Sequence, residues 1–259
     1  YRGGPFVRLY TALVRTAARS ARLVLTDSQA SRRDIVTRMG LPAERVRVVY
    51  LAADERYTPD PTPEDEAVHA RYGLPERYVL YLGGFDVRKN VAAVLGAYRW
   101  AGPVIGKDCP LVIAGRLPQE DTPFAPDPRR LARELAVDEQ YVRFTGFVDE
   151  ADKPALYRGA VAFIFPSRYE GFGLPPLEAL ACGTPVVGSH ASSLPEVIGA
   201  AGVLLSPDDA EGMADALTRL ATDADFRAEL SRRALAQAAG FSWERAARET
   251  VAAYQDVMG

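Results

Sequence analysis

"AFIFPSRYEGFGLPPLEALACGTPVVGSH", residues 162–190, is the stretch whose reading decides the fold. "AFIFPS" (162–167) is a short continuous apolar run, the pattern of a strand buried on both faces rather than a half-exposed one. "RYEGFGLP" follows, where Gly171 and Gly173 permit backbone angles that other residues avoid. "PPLEALAC" (175–182) places helix formers behind two prolines, and proline suits a first helical turn because its missing N–H would have no partner there. Gly183 closes that helix, and "PVVGSH" (185–190) reads as the next strand. A strand, a glycine loop, a helix and a second strand make the repeating unit of a parallel sheet.

The alternation extends in both directions. Upstream come "YVLYLGG" (78–84), a helical "NVAAVLGAYRWA" (90–101), "LVIAG" (111–115), a helical "DPRRLARELAV" (127–137), "VRFTGFV" (142–148) and a helical "KPALYRGA" (153–160). Downstream, "GVLLSP" (202–207) is a further strand, and helices are expected near 209–222, 224–239 and 242–257. Ser242 is the expected N-cap of the last one, with Glu244 in its first turn. The class is α/β, a Rossmann-like parallel sheet with helices on both faces.

Before this sheet, "LVLTDS" (23–28), "QASRRDIVTRMG" (29–40) and "RVRVVY" (45–50) form a strand–helix–strand unit, with Ser28 as N-cap and Gly40 as the residue after the helix. It is too small to carry a core and reads as a partial α/β segment, the end of another domain. The chain opens at Tyr1 and enters in mid-helix, which suggests a fragment. In "ADERYTPDPTPEDEAVHARYGLPE" (53–76), Pro59, Pro61 and Pro63 alternate and disfavour helix, so an extended linker is expected. The expected organisation is 1–57 as the end of an N-terminal domain, 58–77 as linker, 78–240 as the sheet domain and 241–259 as a C-terminal helix.

Composition bounds the function. The 259 residues are 48% hydrophobic and 25% charged, with a formal net charge of -3, an ordinary globular balance. No basic run stands free of acidic neighbours, which argues against nucleic-acid binding. Cys109 and Cys182 sit in unrelated contexts and suggest a reducing compartment, and no apolar run approaches the roughly 18 residues that span a bilayer. The expected location is the cytoplasm.

Ligands of doubly wound sheets bind outside the carboxyl ends of the strands. Two such loops carry chemistry. In "LGGFDVRKN" (82–90), Gly83 and Gly84 allow close backbone approach, Asn90 is expected to cap the following helix, and Arg88 and Lys89 add two positive charges. That set could bind a phosphate or diphosphate; a tight turn with two solvated basic side chains is the competing reading. G-x-G-x-x-G is absent, so there is no dinucleotide fingerprint. The second loop holds Glu170, with Glu178 eight positions on and expected within the first helical turn. Carboxylates hold hydroxyls and backbone amides hold anions, so sugar hydroxyls and phosphates are the matching ligand. For Glu178 the competing reading is a carboxylate placed by the helix dipole.

Other residues have plainer readings. Asp223 to Asp225 match the D-x-D pattern of metal-holding sites, but they lie between two helices, where a helix cap fits better. His69 belongs on a surface helix, and His190 ends a strand from which it could approach a sugar pocket. Two histidines are too few for a histidine metal site. Cys182 reads as a small buried residue at a helix end, and Tyr81, Phe163 and Phe165 as core.

Taken together, "YLGGFDVRKN", "LVIAG", "VRFTGFV" and "FPSRYEGFGLPPLEALACGTPVVGSHASSLPEV" resemble the donor-binding half of retaining GT-B glycosyltransferases, specifically glycosyltransferase family 4 (group 1). Glu170 and Glu178 match its E-x7-E signature, and the resemblance covers nearly all of 78–207. Residues 22–57 look like the end of that family's N-terminal domain, and "FSWERAARETVAAYQ" (241–255) like its helix that crosses back to it. The resemblance implies a hexosyltransferase with a nucleotide-diphospho-sugar as substrate, no cofactor and no metal. Arg88 and Lys89 would neutralise the donor diphosphate and its leaving-group charge. Glu178 would accept hydrogen bonds from the ribose. Glu170, with the backbone N–H groups of Phe172, Gly173 and Leu174, would hold the hexose and distal phosphate by positioning and charge stabilisation. Gly83 and Gly84 would admit the diphosphate, and Arg116 and Val148 would lie near the nucleotide.

The wording of "YLGGFDVRKN" and "SSLPEV" leans toward GDP-mannose users of bacterial polysaccharide assembly, with UDP-glucose the alternative. The family's N-terminal domain supplies the acceptor pocket, and most of it is absent here. The acceptor, a glycan or a lipid-linked saccharide, therefore stays open, as does peripheral association with the inner face of the membrane through that domain. A non-catalytic nucleotide-sugar-binding module is the second reading. A sugar-nucleotide epimerase of the same fold is the third, although that group is expected to carry a histidine at the corresponding turn.

Overall fold

The computed structural model describes residues 4–258, so Tyr1 lies outside them. In chain order the elements are α1 (Pro5–Ser20), β1 (Val24–Thr26), α2 (Gln29–Met39), β2 (Val46–Val48), α3 (Asp65–Tyr72), β3 (Val79–Leu82), α4 (Val91–Ile105), β4 (Leu111–Ala114), α5 (Pro128–Glu134) and β5 (Val142–Gly146). They continue with α6 (Lys153–Gly159), β6 (Ala162–Phe165), α7 (Leu174–Ala181), β7 (Val186–Ser189), α8 (Leu194–Ile198), β8 (Gly202–Leu205), α9 (Ala210–Thr222), α10 (Ala224–Ala238) and α11 (Trp243–Met258). They fall into two compact units, Tyr1–Leu51 with Ser242–Gly259, and Ala52–Phe241.

In the first unit β1 and β2 pair in parallel, Val24 opposite Val46, with α2 as the crossover. Ser28 caps α2 by accepting the Ser31 N–H at 3.0 Å, and Gly40 ends it in the left-handed region at φ 72°, a conformation glycine adopts without a Cβ penalty. The start of α11 is capped by Ser242 Oγ, which accepts the Arg245 N–H at 3.2 Å. Arg47 reaches Asp256 on α11 at 2.7 Å.

The second unit is built on six parallel strands in the order β5-β4-β3-β6-β7-β8. β3, β4, β6 and β7 are buried along their whole length, which is why their sequences run apolar without alternation, while the edge strands β5 and β8 are half-exposed. From β3 the chain steps outward to β4 and β5, then returns to β6 on the other side of β3 and steps outward again. Right-handed crossovers in opposite directions put the helices on opposite faces. The packing agrees, since α4 lies against α5 and α9, and α7 against α6, α8 and α10. Tyr78, Tyr81, Tyr98, Tyr157, Phe163 and Phe165 are among the largest side chains sealed in the core.

The segment 58–77, expected as an extended linker, contains the helix α3. The proline alternation stops at Pro63, two residues before α3, and constrains nothing beyond it. Val68 buries its side chain, His69 Nε2 donates to the Ala155 carbonyl at 3.1 Å, and Arg158 Nε on α6 meets Asp65 Oδ2 at 2.7 Å. His69 is thus half-buried against α6 rather than on a free surface. Among the described residues no helix is long and apolar enough to cross a membrane.

Candidate functional site

The strand order reverses between β3 and β6, and the carboxyl edge at such a reversal is the place where doubly wound sheets bind ligands. The loops leaving these two strands are the two singled out by sequence, and the fold ties them together. Arg168 N–H donates to the Arg88 carbonyl at 2.8 Å, and Asn90 Nδ2 donates to the carbonyls of Pro166 at 3.1 Å and Pro207 at 2.6 Å. Asn90 therefore does not cap α4 as expected. Its backbone sits in the left-handed region at φ 57°, which turns the amide away from the helix N–H groups and into the neighbouring loops.

Lys89 reaches from the loop after β3 to Glu170 in the loop after β6, with Nζ 2.7 Å from Oε1. Their side chains are only 18% and 12% exposed, so the pair is shielded from solvent. Lys89 Nζ also lies 5.1 Å from the centre of the Phe165 ring, at the end of β6, a cation–π contact that fixes its direction. From the loop after β7, Ser192 and Ser193 donate their hydroxyls to the Glu170 carbonyl at 2.6 and 3.1 Å. Both serines lie in "SSLPEV", where sequence alone assigned them no role in the site; a polar pair just before the short helix α8 was the available signal.

Arg88 turns elsewhere. Its guanidinium lies on Asp86, at 2.8 and 3.2 Å, with about half of the side chain exposed. An exposed pair of this kind is worth about 1 kcal/mol or less and can be exchanged for another anion. Gly84 is exposed, with open space where a Cβ would stand, and the Tyr81 hydroxyl holds its carbonyl at 2.5 Å. Gly83 is half-buried, and its carbonyl would stand 2.1 Å from any Cβ on Gly115.

Gly173 adopts φ 111° and begins α7 at Leu174, with no side-chain cap. Pro175 and Pro176 carry no N–H, so the donors at this end are the amides of the residues before them. Phe172 is buried against Phe241, 5.8 Å between ring centres. Because α7 starts at Leu174, Glu178 falls in the second turn, not the first, and the dipole of the helix start does not account for it. Its carboxylate instead accepts the Tyr157 hydroxyl at 3.0 Å. Burial raises the Glu178 pKa, with the Tyr157 hydrogen bond and Lys153 pulling the other way.

Arg116 and Val148 stand two residues beyond β4 and β5 on the same edge. Arg116 is exposed and rests over the exposed ring of Phe147, 5.0 Å from its centre, whereas Val148 is buried and packs into the core. Phe147 was not singled out by sequence. His190 is exposed at the end of β7. Asp223 caps α10 by accepting the Phe226 N–H at 2.9 Å, as expected for a helix cap. Among the described residues no group of three or more His, Cys, Asp or Glu is placed to hold a metal. Burial pushes the Cys182 thiol up to about 12, so it is a packed, inert residue. The first unit has its own apolar cavity of about 740 Å³ with Leu25, Val49, Trp243 and Val251 on its walls. Asp27 is the sole ionisable group among its lining residues, a poor match for an anion.

Against known proteins, the family model described as "Glycosyl transferases group 1" matches residues 76–223. The chain is 38% identical over 237 residues to the O-antigen chain mannosyltransferase B of Escherichia coli, covering 91% of this chain and 61% of that protein. It is 32% identical over 249 residues to the serotype-specific mannosyltransferase WbdA of Escherichia coli, covering 95% of this chain and 30% of that protein. The chain thus spans less than two thirds of either relative. Among solved structures, HepE of Anabaena in complex with UDP and glucose superposes with a TM-score of 0.79 at 23% identity, covering 92% of this chain and 64% of that one, a likeness of fold.

Proposed function

Since this chain belongs to the glycosyl transferases group 1 family, we propose that its larger unit binds a nucleoside-diphosphate hexose at the carboxyl edge of the sheet and that the protein transfers the hexose to an acceptor hydroxyl. The observation that carries this reading is the Lys89–Glu170 pair at the strand-order reversal. A shielded cation and a carboxylate side by side match a donor in which a diphosphate adjoins a sugar. Lys89 would meet the diphosphate and the negative charge that grows on it as the anomeric bond breaks, while Glu170 and the amides of Phe172, Gly173 and Leu174 hold the hexose and distal phosphate. Arg88 would swing from Asp86 to add a second positive charge. The two cations together would offset most of the leaving group's negative charge, the work a metal does elsewhere, so the proposed reaction includes no metal and no cofactor. Glu178 would accept the ribose hydroxyls, Gly83 and Gly84 would let the diphosphate approach the backbone, and Arg116 would flank the nucleotide, with Val148, its side chain buried in the core, contributing only backbone.

The relatives' names favour a mannose donor, and GDP-mannose is the first candidate, with UDP-glucose the alternative. Transfer with retention of anomeric configuration follows the family resemblance, in which Glu170 positions and stabilises rather than attacks. Calorimetric titration with GDP, UDP and their hexose forms tests the reading: Lys89→Ala is expected to lose about tenfold or more in affinity for the diphosphate forms, and unchanged affinity would refute it.

A further inference from the structure

Glu178 is a charged side chain in a place that disfavours charge, and one residue from another helix faces it directly. Tyr157 on α6 is fully buried, and its hydroxyl donates to Glu178 Oε2 at 3.0 Å. The ring is clamped edge-on between Phe163 of β6, 5.2 Å away at 85°, and Tyr57, 5.9 Å away at 62°. Its backbone is pinned as well, because Thr184 Oγ1 donates to the Tyr157 carbonyl at 2.7 Å. A phenol held this way has one direction for its proton. We propose that Tyr157 is a positioning residue for nucleotide recognition, orienting the Glu178 carboxylate and keeping it ionised as the acceptor of a vicinal diol. The inference rests on the reading of Glu178 as the ribose-binding carboxylate.

The chemistry of the pair supports it. A diol presents two donors, so its partner must offer lone pairs on both oxygens, and an ionised carboxylate offers about four acceptor sites. Protonation turns one oxygen into a donor and removes the match. Burial drives Glu178 toward that protonated form; the Tyr157 hydroxyl and then Lys153 on the same helix oppose it, Glu150 in the preceding loop favours it, and the Tyr57 hydroxyl opposes it. Cys182, at the end of α7, keeps its proton because burial pushes its thiol up to about 12. Burial likewise holds the Tyr157 phenol protonated well above its ordinary range, so Tyr157 remains the donor at every physiological pH. Of the groups opposing protonation, Tyr157 has the hydrogen bond with fixed geometry.

The test is the ratio of affinities for a nucleoside diphosphate and its 2′,3′-dideoxy form, measured by calorimetry across pH on the 259-residue chain, using whichever of GDP and UDP binds. The ratio cancels titration of the phosphates and reads ribose recognition alone. In the wild type it is expected to be about tenfold near neutrality and to fall toward unity on the acid side as Glu178 takes up a proton. Tyr157→Phe keeps the ring and removes the donor, so the fall should move to higher pH by about half a unit or more. An unmoved fall overturns the proposal. Should Tyr157→Phe fail to fold, Tyr157→3-fluorotyrosine decides, because a stronger donor on the same ring should move the fall to lower pH and an unmoved fall refutes the role. Glu178→Gln separates the two ideas: a wild-type ratio and pH profile in that variant overturns the ribose reading itself. A lost ratio there with an unmoved fall in the Tyr157 variant overturns only the positioning role.

Discussion

Lys89 Nζ lies 2.7 Å from Glu170 Oε1, although 81 residues separate them, and both side chains are shielded. Each holds the other in place, and in the proposed donor site each would compete with a ligand for its partner. A diphosphate approaching Lys89 must share it with Glu170. Glu170→Gln should therefore raise affinity for the free nucleoside diphosphate by about fivefold while impairing sugar transfer. Lys89→Ala should lower it. Calorimetry with GDP and UDP on both variants measures this, and parallel losses in the two would contradict the competition.

Asn90 ties together the loops after β3, β6 and β8 through two hydrogen bonds made from a left-handed backbone. Asn90→Ala loses both bonds and meets the φ penalty, and should cost about 2–3 kcal/mol in urea unfolding. Asn90→Gly relieves the backbone and should be milder, so equal losses would show that the amide alone matters.

Asp65 and Arg158 join α3 to α6 with 17% and 9% of their side chains exposed. The Arg158 hydrogen bonds hold the Asp65 carboxyl below its ordinary range. Because the folded pKa is the lower one, the unfolded chain takes up the proton first as pH falls. The stabilisation is therefore complete above the ordinary Asp value of about 3.9 and is lost as pH drops toward the folded value. Asp65→Asn should cost roughly 2–3 kcal/mol at neutral pH, and this difference from wild type should shrink in acid, as read from unfolding curves at several pH values.

Glu178 runs the other way. Its folded pKa is raised by burial, so as pH rises the unfolded chain loses the proton first and stability falls. Glu178→Gln should raise the Tm at pH 7, show no gain below the ordinary Glu value of about 4.3, and weaken nucleotide binding. A lower Tm at pH 7 in this variant would contradict the desolvation argument.

What was legible in the sequence was local. Continuous apolar runs such as "AFIF" and "PVVG" marked buried strands because helices cover both faces, and Ser28, Gly40, Asp223 and Ser242 announced helix ends through bonds within three or four residues. Long-range pairing left no such trace. Asn90 was read as a cap because its true partners, Pro166 and Pro207, are 76 and 117 residues away. Glu178 was placed one turn early because Leu174 joins the helix ahead of the prolines. Its Tyr157 partner lies 21 residues back on another helix. The site's ingredients were visible on each loop; their wiring depended on the reversal of strand order.

The most direct measurement is a crystal structure of the chain with bound GDP or UDP. The diphosphate is expected between the loops after β3 and β6, with Lys89 Nζ within hydrogen-bond distance of a phosphate oxygen and the ribose hydroxyls on Glu178. A nucleotide bound elsewhere, with Lys89 still seated on Glu170 alone, would contradict the assignment.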